Sequence, residues 1–276
     1  MPLDSPVRIT DLIRRKAQGR KIAMLTAYDA SMARLLDRAG IDVLLVGDSL
    51  GTVILGYDST IPVTLEAVIH HTRAVRNGAS RSLVVADMPF LTYQVSLEEA
   101  LRNAGRLLQE GGAAAVKLEG GVTVADRVHR LTEIGIPVMG HIGLTPQSVH
   151  RLGGHRLVGK TQEEAEQLFH DARILEQAGA FAVVLECIPA DIAGSITAEL
   201  KIPTIGIGAG PYCDGQVLVS YDAFGLFQEF QPSFVKQYAN LGEQLGAAAR
   251  QYIEEVQEGR FPSAEHSLRS NAGKTR

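Results

Sequence analysis

The stretch "SLEEALRNAGRLLQEGGAAAVKLE" (residues 96–119) contains one complete helix–strand unit and decides the fold. Its first half predicts a helix, because Ser96 and Glu99 form a capping-box pattern and the apolar residues that follow recur at helical spacing. Its second half predicts a strand at Ala115–Leu118, within a run that is nearly continuous in apolar residues. Such a run is typical of a parallel strand that is covered by helices.

The same alternation of strand and helix recurs along the chain with short connections. Several predicted helices end near a glycine, such as Gly40 or Gly78, which can turn the chain towards the next strand. Repeated strand–helix units indicate an α/β architecture, and eight strands fit a closed (β/α)8 TIM barrel. The eight predicted strands are Ile22–Ala27, Val43–Gly47, Leu83–Ala86, Ala115–Leu118, Pro137–Gly140, Ala182–Leu185, Pro203–Ile207 and Val217–Ser220.

The whole chain, residues 1–276, is expected to form this barrel as a single domain. Barrels of this class typically take about 250 residues. No linker or low-complexity segment interrupts the repeats. After the eighth strand the sequence predicts a closing helix at about 241–258 and a frayed tail at 261–276, where apolar periodicity is lost.

Composition narrows the classes of function. The formal net charge is −4, so the surface would not concentrate a nucleic acid. No apolar run approaches the ~18 residues that span a bilayer, and the N-terminus lacks the apolar core of a secretory signal. The two cysteines, Cys187 and Cys213, are too few for a disulfide framework. We therefore expect a cytoplasmic protein without a nucleic-acid or membrane partner.

Polar residues close five consecutive predicted strands, from the second to the sixth. Active sites of such barrels lie at the C-terminal ends of the strands, and a polar side chain is costly to bury there without a purpose. These strand ends are therefore the candidate active site. The candidate residues are Asp48, Ser49, Asp87, Lys117, Glu119, His141 and Glu186.

Three of these candidates are acids on successive strands, Asp48, Asp87 and Glu119, which should be neighbours in space. Clustered carboxylates raise one another's pKa unless a cation lies between them, and oxygen ligands favour a hard ion such as Mg²⁺. Each acid alone could equally be a solvated or hydrogen-bonded strand-end residue. Their repetition at the expected position favours a metal site.

The other candidates have more open roles. Lys117 points to the same side of its strand as Glu119 and could neutralise a substrate carboxylate or oxyanion, or form a structural ion pair with Glu119. His141 could bind a substrate oxygen, ligate the metal or serve only structure. Glu186 lies four strands from Asp48, which suits a proton acceptor better than a metal ligand.

At these residues the chain resembles the ketopantoate hydroxymethyltransferase family. The resemblance rests on several stretches that run in order from about residue 8 to 265 and are highly specific together. These stretches are "MLTAYD", "VGDSLG", "GYDSTIPVTLE", "VVADMPF", "VKLEGG", "GHIGLTPQSVH", "VLECIP", "IPTIGIGAG" and "YDAFGL".

The resemblance implies a barrel of the phosphoenolpyruvate/pyruvate type that transfers a hydroxymethyl group from 5,10-methylenetetrahydrofolate to 3-methyl-2-oxobutanoate. The product would be 2-dehydropantoate, on the route to pantothenate. The resemblance also implies Mg²⁺ as cofactor and a homo-oligomer, commonly a decamer of stacked pentamers.

By matching positions, the resemblance assigns a role to each candidate. Asp48, Asp87 and Glu119 carry over as the metal-binding cluster, and the two aspartates also as substrate contacts. Ser49 and Lys117 carry over as further substrate contacts. His141 carries over as a site residue that also contacts the substrate, and Glu186 carries over as the proton acceptor.

The mechanistic hypothesis is that a metal-activated 2-keto acid loses its C3 proton to Glu186. The resulting enolate, stabilised by the metal and Lys117, would then attack the folate-derived methylene carbon.

Three alternatives remain open from the sequence. A carbon–carbon lyase or mutase of the same barrel superfamily would use a 2-keto acid or enol phosphate without folate. A non-catalytic barrel would act in binding or assembly. A phosphosugar isomerase is disfavoured, because Asp214 and Asp222 near the last two strands would repel a phosphate.

Overall fold

In residues 5–154 and 156–268, which the computed structural model describes, eight parallel strands close into one barrel. Each strand pairs with its neighbours in chain order, and the eighth closes the ring against the first. The predicted (β/α)8 barrel is therefore confirmed. The strands are β1 (Ile22–Thr26), β2 (Val43–Val46), β3 (Leu83–Asp87), β4 (Ala115–Glu119), β5 (Val138–Gly143), β6 (Ala182–Glu186), β7 (Thr204–Ile207) and β8 (Gly215–Leu218).

Helices follow the strands, and side-chain caps fix where several of them begin. Ser96 Oγ accepts a hydrogen bond from Glu99 N at 3.1 Å, and Thr161 Oγ1 accepts one from Glu164 N at 3.2 Å. The helices are α1 (Ile9–Ala17), α2 (Ala30–Ala39), α3 (Leu50–Val53), α4 (Leu65–Gly78), α5 (Leu97–Gln109), α6 (Ala125–Glu133), α7 (Val149–Leu152), α8 (Gln162–Gln177), α9 (Ala190–Glu199), α10 (Ser220–Ala223) and α11 (Leu241–Gln257).

Two of the glycines predicted to end helices, Gly40 and Gly78, differ in what they do. Gly40 ends α2 with a left-handed φ of 93°, as predicted. Gly78 is instead the last residue of α4, and a Cβ at this position would lie 2.2 Å from the carbonyl oxygen of Ala30. Gly78 is thus required by the close approach of α4 to α2, and its predicted role as a turn residue is wrong.

β5 is longer than the sequence predicted. It continues to Gly143 instead of ending at Gly140, because His141 remains in register with Glu119 on β4 and with Val184 on β6. A polar residue that faces the barrel interior continues a strand as well as an apolar one does. The polar residue His141 therefore indicated the candidate site correctly, but it did not indicate where β5 ends.

β8 begins earlier than predicted, at Gly215, and ends at Leu218 instead of Ser220. Gly215 pairs with Ile22 on β1, and a Cβ at this position would lie 2.6 Å from the carbonyl oxygen of Ile22. A strand that opens with glycine and glutamine does not stand out as an apolar run. The predicted strand, Val217–Ser220, is therefore displaced by two residues towards the C-terminus relative to β8.

Alternate strand residues point into the barrel and form its core. Since side chains alternate along a strand, the residue two positions further on points the same way. Residues that continue these inward rows past the core therefore lie at the C-terminal end of the barrel. The strand residues of the core cluster are Ile22, Met24, Val43, Leu45, Leu83, Val85, Ala115, Met139, Ala182, Val184, Ile205 and Val217.

The N-terminal end of the barrel is covered by α1. Leu12 of α1 is fully buried and belongs to the core cluster. Arg15 forms an ion pair with Asp42 just before β2, and Lys16 Nζ lies 2.8 Å from a carboxylate oxygen of Asp214 just before β8. Apolar burial and these two ion pairs attach α1 to the strand starts.

The chain divides into two compact units, one ending at Ser220 and the other beginning at Tyr221. The first contains the barrel. The second contains α11, which is capped by Asn240 and linked to the preceding segment by the hydrogen bond from Gly242 N to Gly225 O at 3.0 Å. The single domain and the closing function of the helix at 241–258 stay predictions.

Part of the predicted tail, residues 269–276, lies outside the described residues. Among the residues that are described, none of the helices is both long and apolar enough to cross a membrane.

Candidate active site

Polar side chains continue the inward rows of four strands beyond the apolar core. Asp87 follows Val85 by two positions on β3, and Glu186 follows Val184 by two positions on β6. The strand pairs bring these residues side by side at the C-terminal end of the barrel. The residues of this cluster on β3 to β6 are Asp87, Lys117, Glu119, His141 and Glu186.

A continuous chain of polar contacts runs from β3 to β6. Lys117 Nζ lies 3.0 Å from Asp87 Oδ1 and 3.1 Å from His141 Nδ1. His141 Nε2 lies 3.0 Å from Glu186 Oε2. The lysine and histidine are buried, whereas the glutamate is half-buried. Lys117 therefore forms its ion pair with Asp87 on the neighbouring strand. Because Lys117 also contacts His141, it connects Asp87 to the histidine.

The protonation states follow from these contacts. Burial acts to lower the pKa of Lys117, but the charges of Asp87 and Glu119 outweigh it and raise the pKa. Burial and the charge of Lys117 lower the pKa of His141. A lysine ammonium can only donate, so His141 Nδ1 is the acceptor and the imidazole proton lies on Nε2, the nitrogen that is 3.0 Å from Glu186 Oε2.

The pKa values of Asp48 and Glu119 are strongly raised in the site. Burial, followed by the charge of Asp87, raises the pKa of Asp48 to about 7. Burial, followed by the charge of Asp48, raises the pKa of Glu119 well above its usual range. Asp48 N also donates to Asp87 Oδ2 at 3.0 Å. The structure thus brings the three predicted acids together, and two of them show the mutual repulsion expected from the sequence.

The chemistry of this donor set fits a hard divalent cation. Asp48, Asp87 and Glu119 are all buried; Lys117 forms an ion pair with Asp87, and its charge acts to lower the pKa of Asp48 and of Glu119. Carboxylate oxygens are the preferred ligands of Mg²⁺. As the side chains stand, however, no three His, Cys, Asp or Glu residues within 5–154 and 156–268 are arranged to hold a metal ion. The metal-binding role of the three acids stays a prediction.

Two buried residues that the sequence did not mark lie within the site. Gln147 Nε2 donates to Asp48 Oδ2 at 2.9 Å, and the backbone N of Gln147 donates to Glu119 Oε2 at 3.0 Å. Tyr93 OH donates to Gln147 Oε1 at 2.7 Å and accepts from Glu119 N at 3.2 Å. Gln147 lies in the stretch "GHIGLTPQSVH", a few residues after β5. Its place in this family-like stretch at the end of a strand is the sequence signal that could have identified it. No comparable signal marked Tyr93.

Ser49, predicted to contact the substrate, follows Asp48 and is half-buried. Its Oγ lies 2.9 Å from the hydroxyl oxygen of Tyr28, which follows β1 and is buried. Tyr28 was not marked by the sequence either. The substrate contacts of Ser49, Lys117 and His141 stay predictions.

Comparison with known proteins identifies the family. The family model of ketopantoate hydroxymethyltransferase matches residues 6–264. The chain belongs to this family. The resemblance found in the sequence is therefore confirmed, and with it the prediction of an enzyme of the hydroxymethyltransferase class.

Curated relatives in the ketopantoate hydroxymethyltransferase family match nearly the whole chain. A 3-methyl-2-oxobutanoate hydroxymethyltransferase of Syntrophus aciditrophicus (strain SB) is 59% identical over 260 residues, covering 94% of this chain and 96% of its own. One of Moorella thermoacetica (strain ATCC 39073 / JCM 9320) is 57% identical over 265 residues, covering 96% and 98%.

Solved structures share the fold at much lower identity. A phosphonopyruvate hydrolase, crystallised with oxalate and Mg²⁺, has a TM-score of 0.61 at 12% identity and covers 96% of this chain and 93% of its own. A 2,3-dimethylmalate lyase of the PEP mutase/isocitrate lyase superfamily has a TM-score of 0.57 at 17% identity and covers 96% and 92%. This member of the ketopantoate hydroxymethyltransferase family therefore shares its barrel fold with both proteins.

Proposed function

We propose that this protein transfers a hydroxymethyl group from 5,10-methylenetetrahydrofolate to 3-methyl-2-oxobutanoate, giving 2-dehydropantoate. The new carbon–carbon bond forms at C3 of the keto acid, which loses one proton. The balance requires one water molecule, and tetrahydrofolate is released. The observation that carries the proposal is the polar chain from Asp87 to Glu186 at the C-terminal end of a barrel whose family is known.

Glu186 is the proposed acceptor of the C3 proton. Its carboxylate is half-buried at the end of β6, so a substrate can approach it, and His141 lies 3.0 Å away through Nε2. His141 therefore lies close enough to act on the charge and the position of this carboxylate. A positioned carboxylate of this kind is a standard general base.

Lys117 and His141 provide positive charge and orientation beside that base. Lys117 is buried, and its raised pKa keeps it protonated at neutral pH. An ammonium group held in a buried site stabilises the negative charge that builds on the keto oxygen as the C3 proton leaves. His141 accepts a hydrogen bond from Lys117 and lies next to Glu186. It therefore links the group proposed to act at the keto oxygen with the group proposed to act at the C3 proton.

Asp48, Asp87 and Glu119 are the residues that would hold Mg²⁺. A bound Mg²⁺ would supply Lewis acidity at the oxygens of the 2-keto acid. The support is the donor chemistry and the buried negative charge, since burial, followed by the charge of a neighbouring acid, raises the pKa of both Asp48 and Glu119.

The test of the base is hydrogen exchange at C3 of 3-methyl-2-oxobutanoate in heavy water, followed by proton NMR. Glu186→Gln should still bind the keto acid but lose exchange by about 100-fold or more, because it lacks the acceptor. Glu98→Gln, at an exposed position in the first turn of α5, should exchange like the wild type. Normal exchange by Glu186→Gln would remove Glu186 as the base.

Other properties that follow from the resemblance belong to the same proposal. These are the folate co-substrate, a homo-oligomer such as a decamer, and a location in the cytoplasm. The high identity to named hydroxymethyltransferases favours this reaction over a lyase, a mutase, an isomerase or a non-catalytic barrel. The lyase and hydrolase likenesses at 12% and 17% identity concern the fold alone.

A further inference from the structure

Gln147 occupies the centre of the acid cluster without carrying a charge. It lies in the short 3-10 helix Pro146–Ser148 that follows β5, and it is buried. Its side chain reaches Asp48, which follows β2, while its backbone N reaches Glu119 on β4. One residue therefore contacts two of the three predicted metal ligands from a third place in the barrel.

The orientation of the Gln147 amide is determined by its neighbours. Nε2 lies 2.9 Å from Asp48 Oδ2 and 2.9 Å from the carbonyl oxygen of Met88, which are both acceptors. Oε1 faces the hydroxyl of Tyr93 at 2.7 Å and Nε2 of Gln94 at 3.2 Å, which can both donate. A flipped amide would place a donor against donors and an acceptor against acceptors, so the observed orientation is the one that satisfies all four contacts.

The loop that carries Gln147 is itself attached to the proposed base. Leu144 N donates to the backbone oxygen of Glu186 at 2.8 Å, and Leu144 is fully buried. Gly143 precedes it with a φ of 96°, and a Cβ there would lie 2.2 Å from the same oxygen of Glu186. The segment from Gly143 to Gln147 therefore joins the end of β6 to Asp48, which follows β2, and to Glu119 at the end of β4.

We propose that Gln147 is a positioning residue for divalent-metal binding, which rests on the proposed metal site at Asp48, Asp87 and Glu119. Gln147 engages one oxygen of Asp48 and one of Glu119, and does not engage the second oxygen of either. The neutral side-chain amide orients Asp48 and the backbone N orients Glu119, and neither competes with a metal ion for the carboxylates as a cation would. The amide also avoids the repulsion that a further acid would add. Outer contacts of this kind are typical around metal ligands.

The test measures metal affinity directly, by titrating metal-free protein with Mn²⁺ and following free Mn²⁺ by electron paramagnetic resonance. Gln147→Met keeps the length and burial of the side chain but removes the amide. We expect the Kd for Mn²⁺ to rise about ten-fold or more, the size typical for loss of a contact to a metal ligand. Tyr93→Phe, which removes the hydroxyl that fixes the amide, should raise the Kd by a smaller factor.

Controls separate positioning from a loss of fold. Gln109→Met, at an exposed position at the end of α5, should bind Mn²⁺ like the wild type. Circular dichroism of each metal-free variant, recorded at the titration temperature, gives the folded fraction to which the Kd is referred. In turnover assays, Gln147→Met should need about ten-fold more Mg²⁺ for half-maximal activity, with kcat at saturating Mg²⁺ within a few-fold of the wild type.

The outcomes distinguish this inference from the proposed function. If the wild type binds Mn²⁺ and the folded Gln147→Met variant binds it equally well or more tightly, the role of Gln147 is overturned and the metal site stays in place. Absence of Mn²⁺ binding by the wild type would overturn both.

Discussion

At the scale of single residues, the acids of the site differ in what they face. Asp87 contacts Lys117, and Asp48 contacts the amide of Gln147, whereas Glu186 contacts the neutral imidazole of His141. Only Glu186 of these acids is half-buried, so it can reach a substrate. These differences support the proposed division of the acids into a metal-binding group and a base.

Cys187 follows Glu186 directly and can report the charge of that base. Burial, followed by the charge of Glu186, raises the pKa of the Cys187 thiol to about 11. Glu186→Gln should therefore lower the Cys187 pKa and increase its rate of alkylation by iodoacetamide at pH 8, because the thiolate is the reactive form. Peptide mass spectrometry measures this rate site by site.

Cys213 is the internal control for that measurement. Burial is also the main cause of its raised pKa, but Glu186 is not among the charges that act on it. Its alkylation should be the same in both proteins. An unchanged rate at Cys187 would mean that Glu186 carries no charge next to the thiol, which would contradict its proposed state.

Charged site residues could be predicted from the sequence more readily than neutral ones such as Gln147 and Tyr93. An acid or a lysine at the end of an apolar run stands out, because burying a charge is costly without a partner. Gln147 and Tyr93 carry no charge, and their role depends on hydrogen bonds to residues of other strands. That pairing depends on the barrel having closed, so spacing along the chain does not reveal it.

At the scale of secondary structure, the eight strands could be located from apolar runs, but some of their ends could not. β5 contains the polar His141, and β8 begins with Gly215 and Gln216. In both cases the backbone pairing with neighbouring strands sets the bounds. Such pairing is a property of the closed sheet and leaves little trace in hydrophobicity.

Asp37 connects α2 to the start of β3, and its contribution to stability should depend on pH. Burial acts to raise its pKa, but hydrogen bonds from Ser80, Arg81 and Ser82 outweigh burial and lower the pKa from 3.8 to about 2. The carboxylate thus stabilises the fold above pH 3.8, and this contribution is lost as the pH falls through about 2.

Asp37→Asn should therefore lower the free energy of unfolding by about 2 kcal/mol at pH 7, and by roughly half as much at pH 3. Urea denaturation at the two pH values measures the difference. Asp58→Asn, at an exposed loop position, should change the free energy of unfolding little at either pH. A loss at Asp37→Asn that is the same at pH 7 and pH 3 would contradict the account of the carboxylate.

At the scale of the whole molecule, the two ends of the barrel differ in chemistry. The N-terminal end is closed by Leu12 of α1 and by ion pairs such as Lys16 with Asp214. The C-terminal end holds the polar cluster from Asp87 to Glu186. This separation of stability from chemistry is usual for such barrels.

The fold alone does not decide the reaction at this scale, since hydrolases, lyases and mutases share the barrel at TM-scores of 0.57 to 0.61. Identity of 59% over 94% of the chain to a named hydroxymethyltransferase, together with the arrangement of Glu186, His141 and Lys117, is what favours hydroxymethyl transfer.

The most direct test of the central claim is a turnover assay of the whole protein with 3-methyl-2-oxobutanoate after treatment with a chelator. The assay follows 2-dehydropantoate by mass spectrometry, with and without 5,10-methylenetetrahydrofolate and Mg²⁺. The account predicts product only when both are added. Product formed without the folate, or at full rate after thorough chelation, would contradict it, as would no product with all components present.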